Sequence, residues 1–333
     1  MMIFLVINFS AFCLSGIYAS ESKETFSFGG KIVFVKDDYG KPNIYLLNGK
    51  VQSIKKLTNV GDNRDPQWSP DGKKIAFASK RKGHLWEIFA MNADAKNQKR
   101  LTYTSSGFST QPRWSGDGKQ IYFFSNNLKG TLSENVLNLL TGEVRTLHAF
   151  GPSVEKLEIE GRPMEEYKGV KILKKEMEKS QEEAEDILGR LKGDLKIYPS
   201  PDGKNFLVNY SPYPGKMVLI NIENKSETTL EMEGGGPSWA KDGKKIAFMT
   251  RDPSGGPLGI LAIYDVNVNR YEKISIPKGE NEECFHPSWS EDSKKIVYVC
   301  GPVAGPGEGW LYILDLKTKR FRKLIQGSTP DWY

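Results

Sequence analysis

Pro66-Gln67-Trp68-Ser69-Pro70-Asp71-Gly72-Lys73-Lys74-Ile75-Ala76-Phe77 is a phrase that this chain repeats. Close copies run over Pro112–Phe123, Pro237–Phe248 and Pro287–Tyr298, and a worn one runs over Ile197–Val208, with Pro199 in place of the Trp and Ser200-Pro201-Asp202-Gly203 intact. A sixth copy is divided: Thr329-Pro330-Asp331-Trp332-Tyr333 is its opening half, and Gly29-Gly30-Lys31-Ile32-Val33-Phe34 its closing half. Aligned on the Trp, the anchors fall at 68, 114, 199, 239, 289 and 332, in steps of 46, 85, 40, 50 and 43 residues. A period of forty-odd residues with several short strands per unit is the pattern of a β-propeller, because one four-stranded unit cannot bury both of its faces.

Each unit follows one grammar. In the clearest copy a strand ends at Trp68, Asp71-Gly72 makes a hairpin turn, and further strands span Lys74–Ser79, Glu87–Asn92 and Lys99–Thr102. Asp-Gly between two β-rich runs is a strong hairpin cue. Near the start, Lys31–Val35, Asn43–Leu47 and Ile54–Thr58 supply the second to fourth strands of a unit whose first strand is Thr329–Tyr333. The expectation is an all-β fold: six four-stranded antiparallel blades over residues 29–333, the last closed by three N-terminal strands and one C-terminal strand. Such closure leaves only short, protected sheet edges.

The phrase resembles the repeat of the TolB-like propellers, WD-repeat-like blades of mostly extracytoplasmic proteins, over roughly residues 29–333. The family's namesake carries an additional N-terminal α/β domain, for which the stretch between Ala19 and Lys31 has no room, so a Tol-system role is not implied. What the resemblance implies is a non-enzymatic extracytoplasmic scaffold that binds a protein or a cell-envelope component. The alternative is a carbohydrate-active propeller, a metal-assisted lyase or a sugar-binding protein, working at the channel mouth.

Residues 1–19 form an apolar run ending Ile17-Tyr18-Ala19, which predicts a secretory signal peptide cut after Ala19 and a periplasmic or secreted protein with no membrane span once it is removed. No Lys or Arg precedes the run, which leaves an upstream start or a retained anchor as the alternatives. The net charge of +6 comes from lysines scattered over turns and strand starts, such as Lys73, Lys119, Lys244 and Lys294, which argues against nucleic acid as a partner. A monomer is expected.

Strand alternation puts the loops 59–65, 103–111, 251–259, 277–286 and 301–309 on one face, and that long-loop face is the expected functional surface. The 85-residue step puts an insertion, residues 150–194, on the same face. Leu173, Met177, Ala184, Ile187, Leu188 and Leu191 within it recur at mostly three- and four-residue steps and predict an amphipathic helix. Residues just before each Trp should approach the axis. Arg64, Asp65, Gln111, Arg113 and His286, with Thr329, are therefore the candidate ligand-binding residues at the channel mouth.

Catalytic signatures are absent. No G-x-S-x-G elbow occurs, and His84, His148 and His286 fall in separate repeats without metal-ligand spacing, so neither a catalytic residue, a metal nor a cofactor is expected. Asp62-Asn63-Arg64-Asp65 lacks the spacing of a calcium loop. Cys284 and Cys300 flank a predicted hairpin and face one another to within a residue, which makes them a disulfide candidate in an oxidising compartment, with buried free thiols as the alternative.

Overall fold

The structure is a computed structural model, which describes residues 28–81, 85–104, 107–126, 132–150, 195–210, 215–251, 259–279, 282–302 and 309–333. The predicted leader, the helix of the insertion and loop tips such as 303–308 lie outside the described residues.

Six four-stranded antiparallel sheets make up the fold. One blade holds β4 (Asp62–Trp68), β5 (Lys74–Lys80), β6 (Glu87–Asn92) and β7 (Lys99–Arg100), and the next holds β8 (Phe108–Trp114), β9 (Gln120–Asn126), β10 (Leu132–Asn138) and β11 (Val144–Phe150). After them come β12 (Leu195–Pro199), β13 (Asn205–Tyr210), β14 (Met217–Asn221) and β15 (Glu227–Thr229), then β16 (Gly235–Trp239), β17 (Lys245–Thr250), β18 (Ile260–Asp265) and β19 (Arg270–Ser275). A further blade holds β20 (Glu282–Trp289), β21 (Lys295–Pro302), β22 (Trp310–Asp315) and β23 (Arg320–Gln326). The closing sheet has the order β24 (Ser328–Trp332), β1 (Lys31–Asp37), β2 (Pro42–Asn48), β3 (Ser53–Lys56), which is the expected three-plus-one closure. Among the described residues there is no α-helix, and no helix long and apolar enough to cross a membrane.

The repeated phrase is repeated geometry. Trp68 pairs with Ile75, Trp114 with Ile121, Pro199 with Phe206, Trp239 with Ile246, Trp289 with Ile296 and Trp332 with Ile32, so the divided copy keeps the register of the others. The turn that follows is held by its own side chains. Ser69 Oγ donates to Asp71 Oδ1 at 2.7 Å and accepts from Lys74 N at 2.9 Å, while Asp71 Oδ1 accepts from Lys73 N at 3.1 Å. Ser115–Asp117, Ser200–Asp202 and Ser290–Asp292 build the same turn. These bonds pull the Asp71 carboxyl below its usual range, the Ser69 hydroxyl contributing most.

The core lies between blades. Trp289 packs with Ala240, Ala247, Met249, Leu261 and Tyr298, uniting the β16–β19 and β20–β23 blades, and Trp68 packs with Val33, Ile44, Ile75, Phe77 and Met91 across the closing blade and its neighbour. Indole N–H groups tie blades together as well. Trp114 Nε1 donates to Gln67 O at 3.1 Å, Trp239 Nε1 to Tyr198 O at 3.0 Å and Trp289 Nε1 to Ser238 O at 3.0 Å, each to the residue just before the anchor of the preceding blade.

The closure departs from that chain of links. Trp332 Nε1 turns to Gly29 O within its own blade, and Trp68 Nε1 has no partner among the described residues. A carboxylate replaces them: buried Asp331 accepts from Trp68 N at 2.6 Å and from Ser288 Oγ at 2.8 Å, and Ser288 Oγ accepts in turn from Trp332 N at 3.0 Å. Three inner strands, β4, β20 and β24, therefore meet at one side chain. On β20 and β21, Cys284 pairs directly with Cys300, the Cα atoms 4.1 Å apart, and the two are joined as a disulfide.

Candidate binding site in the channel

In five blades the inner strand is interrupted by a bulge just before the Pro of the phrase. The register shifts between Arg64 and Gln67, Thr110 and Arg113, Gly235 and Ser238, and Phe285 and Ser288, and β1 shifts against β24 between Val33 and Val35. Each bulge carries a residue with left-handed backbone: Asp65 (φ 53°), Gln111 (φ 54°), Gly236 (φ 58°), His286 (φ 52°) and Thr329 (φ 43°). Glycine reaches that conformation without penalty. For the other four it is a strained region, costing roughly 1–3 kcal/mol each, and a bulge is a device that re-aims a side chain.

The side chains so aimed line a cavity of about 870 Å³ along the propeller axis. Its wall follows the inner strands from the bulges toward the tight turns, where Pro70, Gly116, Pro201, Lys241 and Glu291 contribute, and it includes the aromatic rings of Phe124, Tyr198, Tyr210 and Phe285. Asp65, Gln111, Arg113 and His286 line it, as does Thr329. Arg64 does not: it is exposed, with its guanidinium over the Trp86 ring at 3.4 Å.

The five expected residues that reach the cavity differ chemically. Arg113 is engaged by the protein itself, donating from Nε to Ile197 O at 2.8 Å, from Nη1 to Gln111 O at 2.9 Å and from Nη2 to Glu134 Oε1, with Tyr198 under its plane at 5.1 Å. It is a clamp between the β8–β11 and β12–β15 blades. Asp65 Oδ2 accepts from Gln111 N at 3.3 Å, which couples two bulges, and burial raises its carboxyl above the ordinary value against the pull of Arg64. Burial, aided by the Lys196 charge, pushes the His286 imidazole down to about 4, so it is neutral at physiological pH.

Two residues of the site were not anticipated from sequence. Lys196 lines the cavity at the position three before Pro199, the same offset from the anchor as Asp65, Gln111, Gly236, His286 and Thr329. Its copy lacks the residue–Pro pair, and β12 runs against β13 without a bulge, so counting from the anchor was the one signal that could have found it. Glu134 lies on the middle strand β10, fully buried, where no repeat register points to it. Desolvation raises its carboxyl to about 7 in spite of the Arg113 ion pair, and its Oε2 has no hydrogen-bond partner among the described residues.

The described residues contain no cluster of three or more His, Cys, Asp or Glu side chains placed to hold a metal ion. At the level of the bulges the channel offers hydrogen-bond groups, aromatic faces and one cation, Lys196, that has no ion pair among the described residues.

Comparison with known proteins agrees with this architecture. Residues 20–151 match the TolB β-propeller domain family. The Tol-Pal system protein TolB of Francisella tularensis subsp. mediasiatica is 37% identical over 76 residues, which are 22% of this chain and 18% of that protein, so the match spans less than a fifth of the curated relative. The crystal structure of TolB from Acinetobacter baumannii superposes with a TM-score of 0.65 at 20% identity, covering 92% of this chain and 67% of that one. An oligogalacturonate lyase from Vibrio parahaemolyticus superposes with a TM-score of 0.54 at 15% identity, covering 90% of this chain and 75% of that one. At such identities the two structural likenesses speak for the fold.

Proposed function

We propose that this TolB-like six-bladed β-propeller is a non-enzymatic, extracytoplasmic scaffold that recognises a protein or a cell-envelope component, with Asp65, Gln111 and His286 of the channel and the long-loop face as its binding surface. The observation that carries the reading is the ring of strained bulges: Asp65, Gln111, His286 and Thr329 hold left-handed backbone where Gly236 shows that glycine fits the same bulge. Strain retained at a concave surface, on a scaffold whose other features favour stability, is the mark of a recognition site. Likeness to a Tol-Pal system protein supports an envelope partner and a periplasmic location.

The test is capture from envelope extract by the immobilised chain, beside a Gln111→Gly/His286→Gly variant and a variant with residues 152–192 replaced by a Gly-Ser linker. Glycine at the two bulges relieves backbone strain while deleting the side chains, so the double variant should be as stable as the parent or more so. Loss of a specific partner with the double variant supports the channel as the site, and loss with the linker variant supports the insertion. If no chain captures a protein, the scaffold reading fails and oligosaccharide binding at the channel mouth takes its place.

A further inference from the structure

We propose that the channel also binds a small organic monocarboxylate, with the Lys196 ammonium as its counter-charge and the aromatic wall beside Lys196 as the seat for its apolar part. This goes beyond the scaffold reading and does not depend on it.

The case begins with where the lysine sits. Of the six positions at this level, Asp65, Gln111, Gly236, His286 and Thr329 sit in bulges, while Lys196 stands on an unbulged strand. Its pKa is lowered first by burial and then by the Arg113 charge. Among the described residues its ammonium makes neither a hydrogen bond nor an ion pair, and it lies over the Phe124 ring, 5.8 Å from the centroid. An ammonium taken from water without a partner is costly, and an anion brought within contact distance offsets that cost.

The neighbouring charges set the valence of the ligand. The groups electrically coupled to Lys196 are Arg113, Glu134 and Asp65, and His286 feels it in turn. Arg113 is matched by Glu134, at side-chain exposures of 11% and 0%, and no ion pair joins Lys196 to Asp65 or Glu134. At the level of the bulges one cation is thus left over. A monoanion matches it, whereas the second charge of a dianion such as phosphate would have no cation of its own at that level. Phe124, Tyr198, Tyr210 and Phe285 add ring faces to the same cavity, and a volume of about 870 Å³ is within the range of small-molecule sites. A carboxylate on an apolar or aromatic body fits both features.

Benzoate is the probe, and benzamide, its uncharged isostere, is the control. Isothermal titration calorimetry of the full chain, in low-salt buffer free of carboxylate and phosphate, should show saturable benzoate binding at one site, with benzamide weaker by about tenfold or more. Lys196→Met should weaken benzoate by about tenfold and leave benzamide unchanged, while Lys196→Arg should retain benzoate. Because Lys196→Met removes a half-buried charge that has no ion pair among the described residues, its urea midpoint should match or exceed that of the parent, which separates lost binding from lost folding. Absence of saturable benzoate binding, equal affinity for benzamide, an unaffected Lys196→Met variant, or phosphate binding more tightly than benzoate would each overturn the proposal. Failure to capture a macromolecular partner would not touch it.

Discussion

Asp331→Ala should unlatch the ring, and the size of the effect follows from what the carboxylate holds. Asp331 is 7% exposed and accepts hydrogen bonds from Trp68 N and Ser288 Oγ, at 2.6 and 2.8 Å. Hydrogen bonds to an ionised acceptor contribute about 1.5–3 kcal/mol each. Removing this one also takes from the buried Trp68 N–H the acceptor that it has in the structure. The Ser288 hydroxyl keeps one bond, the one it accepts from Trp332 N, which offsets part of the loss. The expected destabilisation is therefore about 3–5 kcal/mol. Asp331→Asn should cost less, about 1–2 kcal/mol, because a rotated amide can accept from Trp68 N and donate to Ser288 Oγ. Asp71→Ala is the control: that carboxylate makes a similar number of bonds but is 56% exposed in its turn, and water can replace it at a cost of about 1 kcal/mol or less. The assay is urea unfolding followed by tryptophan fluorescence, read as a shift in midpoint at constant slope. If Asp331→Ala proves no worse than Asp71→Ala, Asp331 does not hold the closure and the ring is kept shut by strand pairing and Trp332 packing alone.

Two further outcomes follow from buried groups. In a chain of residues 20–333, unfolded without reductant, a thiol reagent should find no free cysteine, and reduction of the Cys284–Cys300 bond, at a sequence separation of 16, should lower stability by about 2–3 kcal/mol; two titrated thiols before reduction would refute the pairing. Glu134 and His286 should tilt the pH dependence of stability in opposite directions. Glu134 titrates near 7 folded against 4.5 unfolded, so between those values the folded state holds more protons and stability falls as pH rises. His286 titrates near 4 folded against 6.5 unfolded, so across that window the unfolded state holds more protons and stability rises with pH. Between pH 5 and 6.5, Glu134→Gln should therefore make the slope of unfolding free energy against pH more positive than in the parent, and His286→Gln more negative. Changes of the same sign in both variants would defeat these assignments.

How far the sequence could be read depended on whether a residue belongs to the repeated phrase. Trp68 and Asp71 each recur in five of the six copies because most blades use the same inter-blade wedge and the same side-chain-held turn, so repeats of one local solution were visible and the fold followed, with Lys31–Val35 and Glu87–Asn92 placed within two residues of β1 and β6. The divided copy was legible for the same reason: Thr329-Pro330-Asp331-Trp332 could only complete a blade by meeting Ile32. The channel was half legible. Asp65, Gln111 and His286 stand beside the Pro of a phrase, and their position pointed inward, whereas Arg64, one residue earlier, does not line the cavity and lies over Trp86. Lys196 escaped because its copy had lost the Trp and the Pro together, and Glu134 because a middle strand carries no anchor of its own. These two residues define what this channel has that a repeated blade does not. A propeller closes on what its blades share, and its binding chemistry is set where one blade departs from the rest; here the blade without the indole and the bulge is the one that puts a free ammonium in the channel.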